Sequence, residues 1–176
     1  AQIDDLTYNY AAGGKSNRLL NISDAFNDPV TKMGDFRVSA LNPVQTKTAT
    51  TADYSYDNNG NMVKDQNKDI VTASGGNGIV YNHLNLPELI TIRGGSGNKG
   101  TIAYTYDAAG NKLKKITTEN SSVANGNKTI TTTTTYLGPL IFESKTTSPA
   151  DASHPDYADR LQLISHEEGR IRLSAL

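Results

Sequence analysis

YTYDAAGNKLKKI (residues 104–116) is the stretch on which the fold turns. Tyr104 and Tyr106 alternate with Thr105, the period of a strand with one covered face. Asp107 opens a turn, because its carboxylate accepts hydrogen bonds from backbone amides just downstream. Gly110 falls where a short hairpin loop needs a left-handed backbone, a conformation that Gly adopts freely and Asn tolerates. A β-branched residue there is expected to harm folding. Asn111 and Leu113 begin the return strand. YSYDNNGNMVKD (residues 54–65) repeats this grammar with Tyr54, Tyr56, Asp57, Gly60 and Asn61, then Met62 and Val63.

Working outward, further copies emerge. LTYNYAAGGKSNRLLNIS (residues 6–23) alternates Leu6, Tyr8 and Tyr10, turns at Gly13-Gly14, and returns through Asn17 and Leu19 with a longer loop, which costs little closure entropy. IVYNHLNLPELITI (residues 79–92) has Tyr81-Asn82 for Tyr-Asp. Reading Leu86-Pro87 in place of the Gly-Asn step, a different turn is expected there. Tyr56, Tyr81 and Tyr106 are 25 residues apart and Tyr136 follows after 30, a spacing typical of repeat architecture. Residues 129–135 form a Thr-rich strand whose two faces are nearly alike, so its register is weakly specified. A turn at Gly138-Pro139 leads into an apolar strand at 140–142. Residues 146–156 read as a loop, and LQLISHEEGRIRL (161–173) as a final hairpin.

The expected organisation is one all-β unit over residues 1–176. Repeat-like copies fall at about 6–23, 53–71, 79–92, 101–118, 129–144 and 161–173. Residues 24–50 break the pattern. Turn signals at Asn27-Asp28-Pro29 and Asn42-Pro43 and a short strand at Phe36-Arg37-Val38 are expected within a long irregular connection.

A formal net charge of -1 and a pI near 6.3 argue against a nucleic-acid or anionic-membrane partner. The absence of Cys excludes a disulfide framework and Cys-based zinc sites. No apolar run reaches the roughly 20 residues of a membrane span, and residues 1–10 do not read as a signal peptide. Asp57-Asn58-Asn59-Gly60-Asn61 faintly resembles a calcium loop, but the twelfth position, which needs a bidentate Glu, is Lys68. His83, His154 and His166 lack metal-ligand spacing. No cofactor, metal or catalytic residue is expected. Tyr54, Tyr56, Tyr81, Tyr104 and Tyr106 are the candidate binding residues, as an aromatic platform for glycans. The competing reading stacks them as cross-strand pairs, each worth roughly 0.2–1 kcal/mol. Asp57, Gly60, Asn61, Asp107, Gly110 and Asn111 are assigned to hairpin turns.

The pattern Tyr-x-Tyr-Asp-x-x-Gly-Asn-x-apolar, at 54–63 and 104–113, resembles the YD repeat of Rhs proteins, Tc-toxin shell subunits and teneurins. YNHLNLPELI (81–90), YDAAGNKLKK (106–115), the strand at 136–143 and LQLISHEEGRIR (161–172) resemble the form common in Bacteroidetes. The resemblance implies antiparallel hairpins side by side in a curved, spiralling sheet, a partial shell. It implies a secreted or cell-surface bacterial parent whose shell encloses a C-terminal cargo, often a toxin. The conserved core that follows the repeats in that family is not found here, so no catalytic residue carries over. Neighbouring repeats, the cargo and glycans are the implied partners. Both ends read as cuts through a longer array, so edge-strand association between copies is expected.

Overall fold

The computed structural model describes residues 3–26, 36–42 and 47–172. The Asn27-Asp28-Pro29 signal, Pro43 and Leu173 lie outside them. Twelve strands follow one another: β1 (Leu6–Tyr10), β2 (Leu19–Asp24), β3 (Tyr54–Tyr56), β4 (Met62–Asp65), β5 (Ile79–Tyr81), β6 (Pro87–Gly94), β7 (Gly97–Tyr106), β8 (Lys112–Glu119), β9 (Thr129–Leu137), β10 (Leu140–Ser148), β11 (Tyr157–His166) and β12 (Gly169–Arg172). Strands β5 to β12 form one eight-stranded antiparallel sheet in strict sequence order, while β1-β2 and β3-β4 are separate two-stranded ladders. The chain is all-β, and no helix among the described residues is long and apolar enough to cross a membrane.

The three ladders meet at two seams. At the first, the Asp53 N–H donates to Leu20 O at 2.8 Å. At the second, the Gly78 N–H donates to Val63 O at 2.9 Å. Each strand thus lies beside its neighbours in sequence, which is the shortest-connection solution for antiparallel hairpins.

Four hairpins share one irregularity. Register slips just before Tyr10, Tyr56, Tyr81 and Tyr106, which face Leu19, Met62, Pro87 and Lys112, the first residues of their return strands. One extra residue bulges from each return strand: Leu20, Val63, Glu88 and Leu113. A bulge at a fixed place twists the strand and re-aims its side chains. Val63 is buried, whereas Leu113 is exposed.

Several expectations change in detail. The turn after Tyr81 matches those after Tyr56 and Tyr106. Asn85, not a residue of the Leu86-Pro87 pair, takes the left-handed place, with φ of 56° against 87° at Gly60 and 86° at Gly110. Phe36-Arg37-Val38 is not a strand: the Phe36 N–H donates to Asp4 Oδ1 at 2.8 Å rather than into a ladder. Ile70 and Val71 make only isolated bridges, to Asp65 and Asn77. Strand β10 extends to Ser148, so the following loop is shorter than expected, and β11 starts at Tyr157 rather than Leu161. Thr-rich β9 holds an unbroken register with β10 and with β8. Its Thr131 belongs to a cross-strand row, Thr91–Thr101–Thr118–Thr131–Thr146. Matched β-branched pairs on both sides supply the register that its own two faces do not.

Among the described residues the apolar core is small: Tyr54, Val63, Val71 and Ile79. It sits in the β3–β4 hairpin and its junction with β5. Gly78 lies at that junction, and a Cβ there would stand 2.3 Å from the Ile70 carbonyl carbon. Gly78→Ala is therefore expected to destabilise by about 1–3 kcal/mol in urea unfolding, the usual cost of overpacking. Gly95→Ala, with open space around its Cβ, is the control expected to leave the midpoint nearly unchanged.

Candidate functional site

The sequence-predicted residues fall into two groups, the turns and the tyrosines. In the turns, Asp57 Oδ1 accepts from the Asn59 and Asn61 amides at 2.9 and 2.8 Å, and Asn61 Nδ2 donates to Asp57 Oδ2 at 3.0 Å. Asp107 does the same with Ala109 and Asn111, at 2.9 and 2.8 Å, and Asn111 Nδ2 donates to its Oδ2 at 2.8 Å. Asn82 Oδ1 takes the Leu84 and Leu86 amides at 2.9 and 3.1 Å. Consecutive turns also touch, since Asn59 Nδ2 and Asn61 Nδ2 donate to Asn85 Oδ1 at 2.9 and 3.1 Å. A Cβ on Gly110 would lie 3.3 Å from Leu86 Cδ1. Both Asp carboxylates act as turn acceptors through both oxygens.

The tyrosines make the joints between hairpins. The Tyr56 hydroxyl donates to Leu19 O at 3.1 Å, that of Tyr81 to Met62 O at 2.8 Å, and that of Tyr106 to Pro87 O at 3.0 Å. Each acceptor is the first residue of the preceding hairpin's return strand, at the bulge. The bulge supplies the carbonyl and the next hairpin supplies the hydroxyl. Burial raises the pKa of all three hydroxyls, which keeps them protonated donors. Tyr136 stands at the next step, with Lys112 Nζ 6.0 Å from its ring centre. The same ammonium lies 4.5 Å from the Tyr104 ring, a cation–π arrangement. Tyr104 and Tyr106 have ring centres 6.1 Å apart. They also line an open hollow of about 350 Å³ with Asn82, His83, Thr105 and the bulge residue Glu88. Tyr54 is buried, its hydroxyl accepting from Asn67 Nδ2 at 3.3 Å.

A third group carried no signal in the sequence. Lys47, Asp53 and Asn67 meet beneath the first seam, with the Lys47 and Asp53 side chains 2% and 1% exposed and Asn67 4%. Lys47 Nζ is in contact with Asp53 Oδ2 and donates to Asn67 Oδ1 at 2.8 Å, while Asn67 Nδ2 donates to Asp53 Oδ2 at 3.1 Å. Asp65 caps the short 3-10 turn that carries Asn67, accepting the Asn67 and Lys68 amides at 2.9 and 3.2 Å. Burial raises its pKa. Nearby, Asn21 Nδ2 donates to Thr48 O and Thr51 O at 2.9 and 2.7 Å, tying the connection to β2.

The three histidines stay apart in role. His83 is exposed in its turn, His154 Nδ1 is 3.2 Å from Asp151 Oδ2, and His166 Nδ1 accepts from the Glu168 amide at 3.3 Å. Among the described residues no group of three or more His, Asp or Glu side chains is placed to hold a metal ion. Compared with protein-family models, curated proteins and solved structures, the chain gives no match.

Two expected outcomes follow from these contacts. Tyr81→Phe and Tyr106→Phe each remove one hydroxyl–carbonyl bond, so each is expected to lower unfolding free energy by about 0.5–1.5 kcal/mol, read from chemical denaturation. The second concerns acid. The Asn61 side chain holds the Asp57 carboxyl below its usual pKa, and the Asn111 side chain does the same for Asp107. A lowered folded pKa gives stability that is present above the unfolded value near 3.9 and is lost as pH falls through the folded value. Asp57→Asn/Asp107→Asn preserves the turn, since Asn82 already performs it, and is expected to flatten the decline in urea midpoint below about pH 4. Asp65, whose raised pKa acts in the opposite sense, is common to both proteins and cancels in the comparison.

Proposed function

We propose that this chain is a non-catalytic wall segment of a larger Rhs/YD-repeat protein of the cell surface or secreted space. Its hairpins form part of a spiralling β-shell able to enclose a C-terminal cargo. The observation that carries this reading is the recurrence of one joint, in which a tyrosine hydroxyl of each hairpin meets the bulge carbonyl of the hairpin before it, three times over. A wall built this way can be extended hairpin by hairpin, because the joint needs only a bulge carbonyl on one hairpin and a tyrosine on the next. The outer edge of β1 fits the same logic: Tyr8 and Tyr10 are 51% and 41% exposed there, at the position where a preceding repeat would lie. Repeat proteins stabilise themselves through such nearest-neighbour contacts rather than through a central core, and the small apolar core here accords with that. The implied partners are neighbouring repeats and the parent's cargo.

A second reading is a glycan-binding adhesion module. The hollow beside Tyr104 and Tyr106, with Asn82, His83 and Glu88 at its rim, favours it: aromatic faces with a few convergent polar groups suit sugar rings. A glycan array with the intact chain, followed by Tyr104→Ala, separates the two. The wall reading expects no saturable binding to any glycan. Saturable binding abolished by Tyr104→Ala, with the melting transition retained, would replace it with the adhesion reading.

A further inference from the structure

We infer that Lys47 and Asn67 are joined by an intramolecular isopeptide bond, formed autocatalytically with Asp53 as the proton-transfer group. The three side chains form a closed triangle, and each edge has a chemical use. Lys47 Nζ is the nucleophile. It donates to Asn67 Oδ1 at 2.8 Å, and with a C=O bond of 1.23 Å this places Asn67 Cγ roughly 3–4 Å from Nζ, near attack distance. Asp53 Oδ2 contacts Nζ on one side and accepts from Asn67 Nδ2 at 3.1 Å on the other. One carboxylate oxygen therefore bridges the nucleophile and the leaving group. Asn42 Nδ2, at 3.5 Å from Asp53 Oδ1, and the Tyr54 hydroxyl, at 3.3 Å from Asn67 Nδ2, complete the surround. The Asp65 cap fixes the backbone that presents Asn67.

The reaction balances without any outside reagent. The Lys47 ammonium passes one proton to the Asp53 carboxylate, leaving a neutral amine and a carboxylic acid. This exchange removes two opposite charges from a site where both side chains are almost wholly buried. Nζ then attacks Cγ of Asn67, forming the Nζ–Cγ bond. Asp53 gives its proton to Nδ2 and takes a second proton from Nζ, and the Cγ–Nδ2 bond breaks. The products are a secondary amide, one ammonia and a protonated Asp53. Burial also keeps water from competing for Cγ.

Such a bond would tie the connection carrying Lys47 to the turn that ends β4, across the hairpin that holds Tyr54 and Val63 of the apolar core. A wall with little hydrophobic core has the most to gain from a covalent clamp there.

The test is intact-mass measurement of the folded chain with tryptic mapping. The expected result is a loss of about 17 Da, the mass of one ammonia, with no cleavage after residue 47 and a branched peptide joining Lys47 to residues 65–68. Lys47→Met and Asp53→Ala should each restore the full mass and the linear peptides. Full mass in wild-type protein that melts cooperatively overturns the proposal. So does a loss that persists in Lys47→Met, which would mark cyclisation at an Asn-Gly step such as Asn77-Gly78. A loss of about 18 Da with Lys47 linked to Asp53 overturns it too, because the carboxylate would then be the acceptor and water the leaving group. The wild-type measurement stands even where a variant fails to fold.

Discussion

The hydrogen bond from a tyrosine hydroxyl to a bulge carbonyl is the contact on which this architecture depends. Alone it is modest, about 0.5–1.5 kcal/mol net. Its importance is positional. A two-stranded hairpin is marginal in water, and β1–β2 and β3–β4 are each no more than that. The hydroxyls of Tyr56 and Tyr81 reach over the two seams, while that of Tyr106 spans neighbouring hairpins within the continuous sheet, and each ends on the carbonyl of a residue that flanks a bulge. Bulge and tyrosine are therefore two halves of one device. Moving the bulge by one residue would turn the next tyrosine to the opposite face.

The turns keep that device in register. Asp57, Asn82 and Asp107 gather two amides each, and a left-handed residue three positions later closes the loop. These three loops have the same length and put the slip just before the strand's last tyrosine, and the β1–β2 hairpin keeps the slip at Tyr10 with a longer loop. What varies is the bulged side chain itself. Val63 contributes to the core, Glu88 rims a hollow and Leu113 faces solvent, so the same backbone step serves packing, surface chemistry or neither.

Much of this was readable from residues. The Tyr spacing, the Asp–Gly–Asn turns and the strand pairs announce themselves because they depend on side-chain type at short separation. The third turn was misread because Asn85 substitutes for Gly in the left-handed place, a swap that becomes clear only when Asn82, rather than Pro87, anchors the comparison. Phe36-Arg37-Val38 has strand composition but no ladder beside it, and pairing rather than propensity makes a strand. The tyrosine joints were illegible for a different reason: their acceptors are backbone carbonyls, which every residue carries. The Lys47–Asp53–Asn67 triangle was hidden by distance along the chain and by the ordinary look of Asn67 among polar neighbours.

The strictly sequential strand order has a further consequence, for how the molecule comes into being. Nearly every ladder joins segments adjacent along the chain, so contact order is low and loop-closure entropy is spent in small steps. Hairpins from β5 onward can zip as they leave the ribosome, each onto the one already made. The span between β2 and β3 is the exception. Until its lysine and asparagine contacts find β2, β3 and the turn after β4, the first hairpin has nothing to add itself to. The slow event in assembly should therefore lie near the N-terminal end, where Asn21, Lys47 and Asn67 make the linking contacts.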